Sequence, residues 1–361
     1  MRHLAEVVIR RHQASLIECL QRFVARGQPY VVMNAPLSTD PAHHANWLGL
    51  SQVLRKLTGR LPSLVGSQND SLDGIKLTSV DAPVFICGHD SFGESQQGRD
   101  DIRYRLMRRF PERTIVQMSQ TIHFSDDGLL EYAKRAIGRH RNFYCVAGDA
   151  RSYRLVETEF DCPVAAGPDT AFGLGVLPPF EADPLRDLYV MQPWDRSRMD
   201  LTHARACVDG PITDWVNGAT NIGRVRFSSL ISTALNRGFT VRELAAQHQD
   251  DLARRYVNYG VKLLSGAERI ITNRVHGHIL SLLINKPHVA VGERGSQLFD
   301  HVENWSGGSP LVQTASDSTE LLAALSRLPY EINGAWYKES QPLFSSIENS
   351  LPDLAMDPAQ V

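Results

Sequence analysis

Apolar residues at Leu4, Val7, Val8, Leu16, Ile17, Leu20, Phe23 and Val24 recur at helical spacing. Gly27 follows as a stop signal, so a helix is predicted over Leu4 to Val24. Tyr30 to Met33 is a short unbroken apolar run, the pattern of a strand covered on both faces, and it opens into a polar stretch, Asn34 to Asn46, read as a loop. A helix is expected from about Leu48 to Leu57, then a strand at Pro83 to Cys87 and a helix closing at Leu106 to Phe110. Thr114 to Met118 reads as a strand, Leu129 to His140 as a helix, Asn142 to Ala147 as a strand and Ser152 to Phe160 as a helix. Short apolar strands alternating with helices predict an α/β fold with a parallel, doubly wound sheet.

Gly173 to Asp187, with Pro178, Pro179 and Pro184, has the composition of an interdomain linker. A second α/β unit then begins at Leu188 to Met191. Its later part has the clearest pattern on the chain: a helix over Val241 to Leu264, a strand at Arg269 to Thr272, a helix over His276 to Ile284 and a strand at His288 to Val291. A C-terminal helix beyond Tyr330, crossing back to the first unit, is also expected.

At 361 residues the chain has room for two ordinary cores, which agrees with two units. Its 38 basic and 40 acidic residues nearly cancel and no basic run stands out, which argues against nucleic acid as a partner. The five cysteines (Cys19, Cys87, Cys145, Cys162 and Cys207) make no CxxC pair, as expected of reduced thiols in a cytoplasmic protein. Glu6, Arg10 and Arg11 interrupt the start of the chain too early for a signal peptide, and no apolar run approaches the length of a membrane span. Any membrane contact is therefore expected to be peripheral.

In open parallel sheets ligands bind beyond the carboxyl ends of the strands, and two loops of that kind stand out. In the first, Ile270 and Ile271 lead through Thr272-Asn273-Arg274-Val275-His276-Gly277-His278 directly into a helix. A helix start favours an anion, Arg274 offers a fork suited to phosphate or carboxylate, and Gly277 allows a ligand close to the backbone. The competing reading pairs Arg274 with a carboxylate and leaves the histidines as satisfied interior groups. His276 and His278, two apart, diverge on a helix. The second loop, Gly88-His89-Asp90-Ser91-Phe92-Gly93-Glu94, has the glycines of a ligand-facing turn, and Glu94 is a candidate general base or a solvated charge. His43 and His44 lack a third ligand at metal spacing, so no metal is expected.

Taken in order, these segments resemble the polysaccharide pyruvyl transferase family. Thr272 to Leu283 is similar to that family's Arg-Leu-His-Gly signature and the helix after it. Gln120-Thr121-Ile122-His123-Phe124 is similar to its Pro-Gln-Ser-Ile segment, and Pro168-Asp169-Thr170-Ala171-Phe172 to its Pro-Asp-x-Ala motif. The resemblance implies two Rossmann-like domains with a central cleft, like the GT-B glycosyltransferase architecture: an acceptor-side domain over 1–175, a donor-side domain over 176–345 and a tail over 346–361. It implies transfer of a pyruvyl group from phosphoenolpyruvate (PEP) to two hydroxyls of a sugar in an exopolysaccharide or its lipid-linked precursor, giving a cyclic ketal and phosphate. PEP serves as co-substrate, and no cofactor is implied. The expected location is the cytoplasm, at the inner face of the membrane.

On this reading His276 protonates the PEP methylene and Glu94 assists the acceptor hydroxyl. Thr272, Asn273, Arg274, Gly277, His278 and Arg196 serve the donor, and His89, Asp90, Ser91, His44 and Asp169 the acceptor. The helix terminus and Arg274 are expected to lower the pKa of His276 until PEP binds. The chain departs from the family pattern at the Gly88 to Glu94 loop, and at Gly148-Asp149, where an Arg-Asp pair is usual. Two other classes stay open: a sugar-nucleotide glycosyltransferase on the same plan, and a non-catalytic glycan-binding relative.

Overall fold

The computed structural model describes residues 2–89, 92–94, 97–181, 185–190, 212–218 and 241–328. Helix α1 (Arg2–Leu20) leads to strand β1 (Val31–Ala35), helix α2 (Pro41–Thr58) and strands β2 (Leu64–Ser67) and β3 (Val84–Ile86). Helix α3 (Ile102–Arg109), β4 (Ile115–Gln120), α4 (Asp127–Gly138), β5 (Phe143–Ala147), α5 (Ala150–Glu159) and β6 (Val164–Ala166) follow in alternation. These strands form a six-stranded parallel sheet in the order β2-β1-β3-β4-β5-β6.

A second parallel sheet, in the order β11-β10-β9-β7-β8, combines β7 (Leu185–Val190), β8 (Ile212–Thr213), β9 (Ala267–Thr272), β10 (His288–Val291) and β11 (Val312–Ala315). Its helices are α6 (Val241–Ser265), α7 (Val275–Leu283), α8 (Gln297–His301) and α9 (Ser318–Arg327). The alternation of strands and helices is therefore as the sequence predicted, with parallel pairing throughout both sheets.

Side-chain alternation divides the interior. Val31, Val84, Ile86, Ile115 and Phe143 pack on one face of the first sheet, while Val32, Phe85, Val116 and Val146 face the other way. That second face shares one continuous core with α2, α6, α7 and Ile270 and Ala290 of the second sheet. Ile271, Val289 and Val291 point to a separate cluster under α9. The shared core is what joins the two sheets.

Three expectations change. The Asn34 to Asn46 loop is much shorter, because α2 starts at Pro41: the Asp40 side chain accepts from the Ala42 N–H and proline occupies the first helical turn, a strong helix start. The stretch expected as a linker from Gly173 begins inside the fold. Thr170–Leu174 is a buried 3₁₀ turn, Leu177 N–H donates to Leu283 O at 2.8 Å, and Leu185 already belongs to β7. Strands β2, β6, β8 and β11 and helices α8 and α9 were not foreseen; β2 and β6 are too short and too interrupted by proline and glycine to show a pattern. The expected helix beyond Tyr330 and the tail over 346–361 lie outside the described residues.

Helix α2 is fixed at both sides. Buried Asp250 on α6 accepts from Trp47 Nε1 and Ser51 Oγ, each at 2.9 Å, and from Arg55 at 2.8 Å. On its other side α2 meets the 170–174 turn backbone to backbone: a Cβ on Gly49 would lie 2.1 Å from Thr170 O, and one on Gly173 would lie 2.4 Å from Gly49 O. Only glycine fits at either place. Gly49→Ala should therefore cost about 1–3 kcal/mol by overpacking, read as a lower melting temperature, with a larger loss of ligand response than of secondary structure.

Candidate active site

A cleft of about 230 Å³ lies at the carboxyl ends of the strands of both sheets. Its walls carry Asp40, His43 and Gly88-His89 from one side of the first sheet and Ser119-Gln120-Thr121, Gly148-Asp149 and Asp169 from the other. The second sheet adds Trp215, Arg274-Val275-His276, Gln297 and His301.

Arg274 stands two residues after β9, at the N-cap of α7, whose first turn has no side-chain cap. Its Nη1 donates to Asp40 Oδ2 at 3.1 Å and its Nη2 to Asp214 Oδ1 at 2.7 Å, with the guanidinium 5.6 Å above the Trp215 ring. Both carboxylates also cap helical turns, Asp40 at Ala42 N–H and Asp214 at Val216 N–H. Asp40 comes from the first sheet, so this cation closes the cleft between the two sheets. The carboxylate-pairing alternative for Arg274 is thus realised, and Arg274 still lines the cleft with Nε unpartnered among the described residues.

His276 Nε2 donates to Asn46 Oδ1 at 2.8 Å and to Asp169 Oδ2 at 3.2 Å. Asp169 caps the 170–174 turn through Ala171 N–H, and Thr170 Oγ donates to Asn46 O, so the turn and α2 together aim both acceptors. Burial alone would lower the pKa of His276, but the Asp169 carboxylate overrides it and the net shift is upward. Burial would likewise raise Asp169, yet His276 takes its carboxyl below the ordinary value. This reverses the expectation that His276 would be depressed before the donor binds. The reason is that Asp169 faces His276, and is not free for an acceptor.

His301 on α8 is a further imidazole on the cleft wall, on the same side as His276. It is 6% exposed, both ring nitrogens lack partners among the described residues, and burial lowers its pKa to about 4. Gln120 and Trp215 each present an unpartnered donor there too, Nε2 and Nε1. Asp149 is consumed by the cap of α5, accepting from Ser152 N–H and Oγ at 2.8 and 2.7 Å.

Several expected site residues are not in the cleft. His278 is wholly buried inside the second unit: His288 Nδ1 donates to Lys286 O, which leaves His288 Nε2 to accept from His278 Nδ1 at 2.7 Å, while Ser306 Oγ donates to His278 Nε2. Thr272, Asn273 and Gly277 do not line the cleft. Gly277 is there for packing, since a Cβ would lie 2.2 Å from Thr272 Oγ1. His44 is interior as well, donating to Ser38 O and stacked 4.1 Å from Tyr256, and burial lowers its pKa to about 4. Glu94 is exposed, 3.6 Å from His123, and does not line the cleft. His89 does line the cleft, its Nε2 donating to the carbonyl of Asn34, a residue in the left-handed conformation at the end of β1. Asp90, Ser91 and Arg196 lie outside the described residues.

Sequence reasoning missed Asp40, Asn46, Asp214, Trp215, Gln297 and His301. The Asp40-Pro41 helix start was a readable signal; the others depend on which surfaces the two sheets bring together.

Arg274→Ala should lower stability by about 3–5 kcal/mol, because Asp40 and Asp214 would be left unpaired in a mostly buried setting. Denaturant unfolding reads this directly, and an unchanged midpoint would show that the bridge contributes nothing. The His276–Asp169 pair predicts a pH window. Its contribution is full below the ordinary histidine value of 6.5 and above the ordinary aspartate value of 3.8. It fades as pH rises through the raised value of His276 or falls through the lowered value of Asp169. Asp169→Asn should therefore destabilise more near about pH 6 than near about pH 9, and should lower the NMR-titrated pKa of His276.

The comparisons with known proteins agree with this geometry. Residues 44–294 match the model of the polysaccharide pyruvyl transferase family. Pyruvyl transferase 1 of Schizosaccharomyces pombe is 27% identical over 245 residues, 66% of this chain and 59% of that protein. The chain thus spans under two thirds of that relative's length. EpsO of Bacillus subtilis, provisionally named a pyruvyl transferase, is 20% identical over 251 residues, 66% of this chain and 76% of EpsO. A crystal structure of a functionally uncharacterised protein from Klebsiella pneumoniae shares the fold at a TM-score of 0.52 and 10% identity, covering 84% of this chain and 98% of that one. With the family match spanning most of the chain and both the Arg274-Val275-His276-Gly277 and Pro168-Asp169 segments inside it, this protein belongs to the polysaccharide pyruvyl transferase family.

Proposed function

We propose that the protein transfers a pyruvyl group from PEP to two hydroxyls of a sugar in an exopolysaccharide or its lipid-linked precursor, forming a cyclic ketal and releasing phosphate. One observation supports this most directly. The cleft's carboxylates are occupied by helix caps, Arg274 and His276, while Arg274 Nε, Gln120 Nε2 and Trp215 Nε1 are donors without acceptors among the described residues. Such a site suits a ligand rich in acceptors. PEP, with a phosphate and a carboxylate, is one. The uncapped first turn of α7 adds backbone N–H groups at the same wall.

Protonated His276 gives its proton to the PEP methylene while an acceptor hydroxyl bonds to the central carbon. The hydroxyl proton passes to neutral His301, whose new charge Asp169 helps to stabilise. The carbon–oxygen bond to phosphate then breaks, the second hydroxyl bonds to the same carbon to close the ketal, and its proton leaves with the phosphate. One imidazole whose pKa is raised and one whose pKa is depressed, on the same wall, form a matched acid and base. An incoming anion takes over part of the Arg274 fork from Asp40 or Asp214. We read the paired parallel sheets as the GT-B-like plan, with the donor held on the second. No helix among the described residues is long and apolar enough to cross a membrane, so a lipid-linked acceptor would be met peripherally, at the cytoplasmic face.

PEP should raise the melting temperature, and phosphate should be released only when the sugar acceptor is present. Stabilisation by a nucleoside diphosphate without any by PEP would replace this reading with a glycosyl transfer. His276→Gln should reduce turnover about 10²- to 10⁴-fold while PEP still stabilises the variant. Chelators should leave turnover intact, because arginine and helix-terminal amides meet the donor's charge; recovery by added Mg²⁺ after a chelator-induced loss would contradict this.

A further inference from the structure

Beneath the cleft runs a polar network that neither a cap nor an ion pair at the surface explains. Arg103 on α3 is 1% exposed, and each of its guanidinium nitrogens has a distinct partner. Nε donates to Gln117 Oε1 at 2.7 Å, Nη1 to Asp101 Oδ2 at 2.7 Å, and Nη2 to Gln120 Oε1 at 2.9 Å, with the fork 4.9 Å from the Phe92 ring. Asp101 is itself fixed, because its other oxygen accepts from the Arg103 N–H at 2.8 Å. Gln117 Nε2 donates to Met118 O at 2.9 Å.

The chemistry of arginine makes this network directional. Guanidinium has donors and no acceptor, so the Gln120 amide must turn its oxygen toward Arg103 and cannot flip. The amide nitrogen is thereby turned away from Arg103. Gln120 is 7% exposed and lines the cleft, and its Nε2 has no acceptor among the described residues. Its backbone carbonyl accepts from Gly148 N–H at 3.0 Å, which fixes the main chain, while the Arg103 contact holds the side chain. Buried donors are matched with few exceptions, and an unmatched one on a residue of the cleft lining, held by a rigid clamp, calls for a partner from outside the chain.

We propose that Gln120 is a ligand-binding residue: an orientation-locked donor, aligned by Arg103, to an anionic oxygen of the bound donor substrate. Taking PEP as that substrate rests on the function proposed above; the lock itself rests on the network alone. Arg103 is a positioning residue, acting through Gln120 without touching the ligand.

The test is Gln120→Glu. A glutamate still satisfies Arg103, so the clamp and the fold are kept, but it replaces the outward donor with an acceptor that repels an anion. Melting temperature with and without PEP, inorganic phosphate or UDP separates the outcomes. We expect an apo midpoint close to the wild type, with affinity for the ligand that stabilises the wild type reduced roughly 10- to 100-fold. Gln120→Met, which removes both donor and acceptor, should lose the same affinity and also lower the apo midpoint by leaving Arg103 Nη2 unpaired. If Gln120→Glu keeps the wild-type response to that ligand, the proposal is overturned. If the wild type answers to UDP and not to PEP, the pyruvyl reading fails, and the lock stands when the UDP response is lost in Gln120→Glu. A wild type that answers to none of the three overturns both.

Discussion

The site depends on one steric constraint, the backbone approach of α2 to the 170–174 turn at Gly49 and Gly173. That approach is closer than any side chain permits, and it sets the positions of two residues on neither sheet. Asn46 is held because its carbonyl accepts from Thr170 Oγ and its side-chain amide donates to Gly88 O. Asp169 is held because it caps the turn itself. Both aim at His276, which arrives from the second sheet. A histidine at a helix start in a water-shielded cleft would ordinarily be neutral; here the geometry of two glycines keeps a carboxylate beside it, and its pKa rises instead.

The same device recurs around the cleft. Asp40, Asp149, Asp169 and Asp214 all stand at the starts of helices or helical turns, where backbone N–H groups take one carboxylate oxygen. Three of them use the other oxygen, or the same one, on Arg274 or His276. A capped aspartate is a rigid acceptor, so the two cationic groups are oriented by elements whose positions are set by the cores beneath them. Rigid support of this kind suits chemistry that needs reacting groups aligned to a fraction of an ångström.

Much of the fold was legible in the chain. Buried parallel strands are continuous apolar runs, and β1, β3, β4, β5, β9 and β10 all showed them within a residue or two. The failures have physical causes. Strands β2 and β6 draw their stability from neighbours and have no pattern of their own, and the start of α2 was hidden because a polar first turn resembles a loop unless its Asp-Pro pair is read as a cap. At the site, Arg274 and His276 were identifiable from one strand-to-helix junction. Glu94 and His44 were misplaced because local sequence does not say which way a side chain faces once two sheets pack together. His278 is a different case: it follows His276 by two positions, the helix turns it about 200° away into the interior, and that divergence was readable from the spacing although His278 was still assigned to the donor.

The charges of the cleft imply that ligand capture and the relation of the two sheets are coupled. Arg274 reaches Asp40 and His276 reaches Asp169, so both of these groups at the end of β9 and start of α7 are tied to a carboxylate carried by the first sheet. Without a ligand these bridges hold the cleft walls together. The anionic donor proposed above would compete for the same groups, and it would have to weaken at least the Arg274 bridge to gain a two-pronged contact. The shared apolar core and the Asp250 anchor between α2 and α6 lie behind this gate and do not compete. They keep the sheets joined while the bridges exchange. Binding can then trade one set of charge-assisted hydrogen bonds for another at small net cost, whereas an uncharged ligand would have nothing to offer Arg274 in place of Asp40. On the function proposed above, selectivity for an anion would follow from the carboxylates that occupy the cleft as well as from the unmatched donors of its lining.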